Sequence, residues 1–294
     1  MTGLLRVAID GGGTKTLLRL ATQDGTILAE TTGGPSNIAT DAQRALHSIR
    51  SALDEALHNS GLSSTRHPPL LAGAGLAGAE IPEARARFLA LPHGFDHLVL
   101  TSDARTSCLG AHDGQDGAIL AVGTGSVGFA CLGDETRRTG GWGFPHDDAG
   151  SGAWIGRKAT AIMLRAEDGR SPPSALSRAL RTWISQNSTA SVTAWPAGLT
   201  AERAAGLVPL VFREADQGCP VAENLLRHAA SETELLGRTL LQDSFASLPV
   251  SLCGSLGERL KSRSSWLTEF CVPARGNALD GAMSLTAGIA FPEN

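Results

Sequence analysis

The sequence predicts a two-domain α/β protein whose halves repeat one arrangement. Short aliphatic and β-branched runs alternate with helix-period segments along the chain. A strand, a Gly/Thr-rich turn and a second strand occur near residue 10 and again about 110 residues later. At 294 residues the chain has room for two cores.

Leu4 to Ile9 is an apolar strand run, followed by Asp10 and the loop Gly11-Gly12-Gly13-Thr14-Lys15. Thr16 to Ala21 and Thr26 to Glu30 read as further strands, separated by Asp24-Gly25, a strong hairpin signal. The chain therefore opens as an antiparallel meander with the glycine loop as its first turn. Ala42, Ala45, Leu46, Ile49, Leu53, Ala56 and Leu57 recur at helical spacing, which predicts a helix over 41–59 closed by Gly61. A strand at Leu70 to Ala74 and a short helix at Pro82 to Ala90 follow. Leu98 to Thr101 is a strand that runs through Ser102-Asp103 into a helix ending near His112.

Ala118 to Val122 restarts the pattern: a strand, the turn Gly123-Thr124-Gly125-Ser126, then a strand from Val127 to Leu132. Residues 154–241 are mostly helical by pattern, and Val250 to Cys253 is a strand leading into Gly254-Ser255-Leu256-Gly257 and a helical turn. Ala278 to Ile289 reads as a tail helix rich in small residues, packing back toward the first half. The boundary is placed near Gly114, giving domains 1–113 and 114–294.

Composition limits the function. Apolar residues make up 42% and charged residues 18%, as in a globular protein rather than a disordered one. A net charge of −4 with no basic tract argues against a nucleic-acid partner. Five cysteines, widely spaced and without a CxxC pair, fit a reducing compartment and no zinc site. No apolar run approaches the ~20 residues of a membrane helix, and the first residues, MTGLLRVAID, are too soon interrupted for a signal peptide. A cytoplasmic protein with no membrane partner is expected.

The glycine loop resembles several phosphate-binding devices. A dinucleotide fingerprint needs G-x-G-x-x-G opening a helix, but its third glycine is Thr16 here and a strand follows. A Walker A loop needs adjacent Gly-Lys before a helix, which is also missing. The remaining reading is a β-hairpin whose tip N–H groups meet phosphate oxygens, its glycines giving close approach and positive φ as in an anion nest. Gly12, Gly13, Thr14 and Lys15 would hold phosphate, and Asp10 would hold a hydrated Mg²⁺. Thr124, Gly125 and Ser126 repeat the chemistry in the second half. Two such hairpins imply one nucleotide clamped between two domains, and Gly254 and Ser255 in "LCGSLGERL" suit an adenosine-side loop.

Phosphoryl transfer to an alcohol needs a base beside the hydroxyl. Asp103, at a strand end and helix start, is assigned as that base, although the position also suits a helix N-cap. In "GGWGFPHDDAGSGAWIG", Gly141, Trp142 and Asp148 form a candidate sugar site with His146 nearby; Asp148 also suits a cap for a helix starting near Gly150. Asn37, in "GGPSNIAT", could read a sugar hydroxyl or hold a turn. His93, His97 and His112 lack metal-ligand spacing.

Taken together, "IDGGGTKT", "GPSN", "GAGLAGAE", "SDA", "GTGSVG", "GGWG…DDAGSGAWIG", "GSLGERL" and "ALDGA" resemble, in this order, the N-acetylglucosamine/glucosamine kinase group of the BadF/BadG/BcrA/BcrD ATPase family. That group lies in the superfamily of sugar kinases, heat-shock 70 chaperones and actin. The resemblance implies a duplicated ribonuclease H-like, actin-like two-domain ATPase fold with an interdomain cleft, ATP and Mg²⁺ as cofactors, transfer to a sugar 6-hydroxyl, and a homodimer. By motif, Asp103 matches the catalytic aspartate, Thr14 and Thr124 match phosphate contacts, and Asn37, Trp142 and Asp148 match sugar contacts.

Two positions depart from the N-acetylglucosamine kinases. Val127 stands where those enzymes carry Asn, and Gly75 where they carry Ser. Stretches such as "LAGAE" and "LRAEDG" look more like bacterial glucosamine kinases, so glucosamine is the expected substrate, with N-acetylglucosamine the alternative. The family's electron-transfer activators hold an iron–sulfur cluster, and no glycine-flanked cysteine pair here suits one. Sugar-sensing regulators of this fold carry an added DNA-binding segment, whereas the first phosphate strand begins near residue 4.

Overall fold

The computed structural model describes residues 3–287 and 289. The chain divides into two compact units: one takes the residues up to Gly117, Cys131–Asp134 and those from Ala274 onward, the other Ala118–Ala130 and Glu135–Pro273.

In the first unit, β1 (Leu5–Gly11), β2 (Thr16–Thr22) and β3 (Ile27–Gly33) form the expected antiparallel meander. Helix α1 (Ala42–Asn59) then crosses to β4 (Leu70–Leu76), α2 (Pro82–Leu89) to β5 (His97–Thr101), and α3 (Asp103–Ala111) follows. The sheet order is β3-β2-β1-β4-β5, with β4 and β5 parallel to β1's direction. Asp41 starts α1 by accepting from the N–H groups of Gln43 and Arg44. Beyond its end, Gly61 takes φ +71° and Leu62 N–H donates to Leu57 O at 2.9 Å, which closes the helix. One face of β1 buries Leu5, Val7 and Ile9 in a core with Ile49 and Leu53 of α1.

The second unit begins with β6 (Gly117–Val122), β7 (Ser126–Leu132) and β8 (Glu135–Gly140). Five helices follow: α4 (Gly152–Glu167), α5 (Ala175–Asn187), α6 (Ala201–Ala205), α7 (Val208–Asp216) and α8 (Pro220–Leu240). Then come β9 (Val250–Cys253), α9 (Gly254–Lys261), α10 (Ser265–Phe270) and β10 (Cys271–Val272). The second sheet runs β8-β7-β6-β9-β10, the order of the first sheet strand for strand. The repeat expected from two hairpins therefore extends to whole sheets.

Three elements differ from expectation. Strand β8, with the sequence ETRRTG, has no apolar residue to alternate, because it is a sheet edge. Strand β10 is only two residues long. The tail helix α11 is Ala278–Ser284, five residues shorter than expected, with turn at 285–287; residue 288 of the expected span lies outside the described residues.

Helix α11 belongs to the first unit, where Leu279 and Ala282 bury Ala8 of β1 from the face opposite α1. Arg6 holds its end, donating to Thr286 Oγ1 at 2.9 Å and Met283 O at 2.8 Å. Arg19 bonds both Asp280 and Glu30. Glycines let α11 meet α3: a Cβ at Gly110 would lie 1.8 Å from Asn277 O, and one at Gly281 would lie 1.9 Å from Thr106 O.

Candidate active site

Within the first unit, Asp10, Gly75 and Thr101 lie side by side across β1, β4 and β5, at the carboxyl ends of the three parallel strands. Open α/β sheets bind ligands at such ends. Asp103 follows two residues after Thr101. The cap of α3 is Ser102, whose Oγ accepts from Arg105 N–H at 3.2 Å, so Asp103 is the first helical residue and not the cap. Its Oδ1 accepts from the adjacent Ala104 N–H at 2.9 Å.

The first hairpin is closed by Gly12 N–H donating to Lys15 O at 3.0 Å. None of Gly11, Gly12 and Gly13 takes a positive φ, so the tip is not the alternating nest expected from the sequence. Gly12 and Gly13 are nonetheless bare for a reason outside the fold. A Cβ at Gly13 would meet nothing within 4 Å, and one at Gly12 only Lys15 O at 3.9 Å. Neither packing nor φ demands glycine at these two positions, which leaves open backbone for something to approach. Thr14 and Lys15 are exposed at the same tip.

Asn37 reaches this edge through the "GGPSN" loop. Ser36 N–H donates to Gly12 O at 2.9 Å, and Ile38 N–H to Ala77 O at 3.0 Å. The Asn37 carboxamide oxygen accepts from Ala39 and Thr40 N–H groups, so it holds the turn, and its NH₂ side is the part that can meet a ligand. Sequence reasoning missed Thr16, which is fully buried with Oγ1 at 2.6 Å from Gly34 O and 2.7 Å from Ser36 Oγ. Its position one residue past the loop, facing a glycine-proline turn, was the available signal.

Electrostatics mark Asp10. Burial pushes its carboxyl up to about 6, the charge of Asp103 adds to the rise, and Lys15 opposes it. Two carboxylates thus share a region with one nearby cation. Among the described residues no group of three or more His, Cys, Asp or Glu side chains could hold a metal ion unaided.

In the second unit, β6 and β9 end together, with Ala121 beside Cys253. This puts the turn Gly123–Ser126 next to Gly254 and Ser255; a Cβ at Gly123 would lie 4.0 Å from Ser255 Oγ. The turn is tied to α4 by its carbonyls: Gly152 N–H donates to Gly123 O at 2.8 Å and Ala153 N–H to Thr124 O at 3.0 Å. Ser126 Oγ is spent on Ala149 O at 2.8 Å, which argues against a substrate contact through that hydroxyl. Thr124 is exposed.

Asp148 is buried with φ +62°. Ser151, not Asp148, caps α4, which begins at Gly152 rather than Gly150. The Asp148 carboxylate stands against Gly125, where a Cβ would lie 2.9 Å from Oδ2. Trp142 lies on the loop after β8 and is 80% exposed; its main-chain N–H donates to Asp147 Oδ2 at 3.1 Å. Arg138, overlooked in the sequence, lies 5.6 Å over the Trp142 ring and bonds Gly141 O. Gly141 abuts Val127, since a Cβ there would lie 2.9 Å from Val127 Cγ2. His146 is exposed.

The family model for the BadF/BadG/BcrA/BcrD ATPases matches residues 7–267. Over 281 residues, 94% of this chain and 94% of the relative, the sequence is 33% identical to glucosamine kinase GspK of Vibrio cholerae. It is 27% identical over 246 residues to an N-acetylmuramic acid/N-acetylglucosamine kinase of Clostridium acetobutylicum, covering 80% of this chain and 79% of the other. Among solved structures, a Chromobacterium violaceum protein provisionally named an N-acetylglucosamine kinase matches with a TM-score of 0.82 at 36% identity, over 96% of this chain and 98% of that one.

Proposed function

The chain belongs to the BadF/BadG/BcrA/BcrD ATPase family, and from that premise we propose that it is an ATP-dependent kinase acting on the 6-hydroxyl of an amino sugar, glucosamine first. The observation that carries this reading is the 33% identity to a glucosamine kinase along 94% of both chains. The geometry supports it. Asp103 opens α3 directly after its Ser102 cap, two residues past the end-of-strand Thr101, and accepts the hydroxyl proton. The open tip of the first hairpin and the exposed Thr124 turn supply N–H groups for phosphates. Gly254 and Ser255 lie beside that second turn for the adenosine side.

Asp10 suits a divalent cation, because a desolvated carboxylate beside another and beside phosphates gains from a positive charge. When bound there, Mg²⁺ would neutralise phosphate charge. Asn37 and Asp148 would contact sugar hydroxyls, with Trp142 and Gly141 as a wall over Val127. A cytoplasmic homodimer completes the proposal.

N-acetylglucosamine is the second reading, favoured by the name of the 36% identical structure. Against it, position 127 offers no amide to an acetamido group. An ADP-release assay across glucosamine, N-acetylglucosamine, glucose and N-acetylmannosamine decides between them. Turnover is expected to be fastest on glucosamine; silence on every amino sugar would sink the proposal.

A further inference from the structure

The helix that presents Asp103 is seated through Thr106. This residue lies three positions after Asp103 in α3 and is fully buried. Its Oγ1 donates to the Asp103 main-chain carbonyl at 3.0 Å. A Cβ placed on Gly75 would stand 1.9 Å from Thr106 Oγ1, 2.7 Å from its Cγ2 and 2.8 Å from its Cβ. The Thr106 side chain therefore occupies the space that a side chain at 75 would need. On the opposite side, the Thr106 carbonyl oxygen fills the space over Gly281 of α11. At this residue α3 is wedged between β4 and α11, and both surfaces are bare of side chain to admit it. Gly75 pairs with Asp10 in β1 and with Thr101 in β5, so the wedge sits level with the Asp10 carboxylate.

We propose that Thr106 is a positioning residue for phosphoryl transfer and that Gly75 and Thr106 act as one unit, setting the first turn of α3 and hence the Asp103 carboxylate against the ends of β1 and β4. The inference rests on the reading of Asp103 as the base. It changes the meaning of Gly75: the glycine is there to admit Thr106, rather than being a pocket position that has lost a hydroxyl. It also ties the two positions together. A serine at 75 requires a smaller residue at 106.

Small displacements of a reacting group cost rate more than binding. Thr106→Val keeps the shape and loses the hydroxyl; it is expected to lower kcat about tenfold with KM for sugar and ATP nearly unchanged. Thr106→Ser keeps the bond and should retain most of the rate. Gly75→Ser should lower kcat on the order of a hundredfold, and Gly75→Ser combined with Thr106→Ala should recover much of that loss. Thermal melts of the wild type, Gly75→Ser, Thr106→Ala and the double variant, read as a double-mutant cycle, should show strong coupling between 75 and 106 independent of turnover. Wild-type kcat in Thr106→Val, or a double variant no better than Gly75→Ser in both rate and melting temperature, overturns the proposal. Turnover surviving in Asp103→Asn removes the base assignment and the positioning role with it, and the melting cycle then reports on the steric pairing alone.

Discussion

Asp10 carries a cost that shows in the resting protein. Its carboxyl is raised from 3.8 to about 6 by burial and by Asp103. The folded state then holds a proton that the unfolded state has released between those values, so stability falls as pH rises through this window. Above about pH 6 the full penalty, about 3 kcal/mol, is present. Asp10→Asn is therefore expected to raise the melting temperature of ligand-free protein at pH 8, with the gain shrinking to nothing near pH 4, while turnover falls. Melts of both proteins across that range check it, and a gain that grows toward acid contradicts the assignment. Asp103→Asn should lower kcat by roughly 10²–10⁴ and leave sugar affinity, measured by calorimetry, in place.

Helix α11 shows what element-scale reading can and cannot recover. Its "ALDGA" sequence carries a motif without a visible purpose, because every partner is distant in the chain. Asp280 meets Arg19, and Gly281 meets the main chain of Thr106. Glycine inside an exposed helix normally costs about 1 kcal/mol against alanine. At Gly281 the sign should reverse, since the added methyl would meet a carbonyl oxygen at 1.9 Å. Gly281→Ala is expected to destabilise by about 1–3 kcal/mol in urea unfolding, and a stabilised variant would refute the close packing. Strands β1 to β7 and helices α1 to α3 were legible because each carries its own period and turn residues. Strand β8 was not, since an edge strand of Arg, Glu and Thr has no buried face to print a pattern. At the candidate site, the strand-end places of Asp10 and Asp103 and the positions of the glycine turns could be read from local chemistry. Thr16 and Thr106 could not, because what they do is fixed by partners 18 to 31 residues away or by bare glycine surfaces; Arg138 could not, because a lone arginine on an edge strand carries no pattern that marks its aromatic neighbour.

At the scale of the molecule, the two sheets repeat one strand order, and each ends in a turn with exposed backbone at the carboxyl end of its first strand. Two hairpins and a pair of carboxylates are a poor resting arrangement. On the proposed function, the exposed hairpin tips and the desolvated Asp10 gain their partners only when phosphate and a cation arrive. Ligand binding should therefore stabilise the whole chain by linkage. With a non-hydrolysable ATP analogue and Mg²⁺ at about 100 times the dissociation constant, the gain is about 2.7 kcal/mol, a melting shift of several degrees for a chain of this size. Removing Mg²⁺ with a chelator should erase much of the shift in the wild type. In Asp10→Asn the analogue should shift melting equally with or without Mg²⁺, because the carboxylate proposed to couple cation to nucleotide is gone. A Mg²⁺-dependent shift that survives Asp10→Asn would move the cation to other residues, and no shift in the wild type would remove the nucleotide from the proposal.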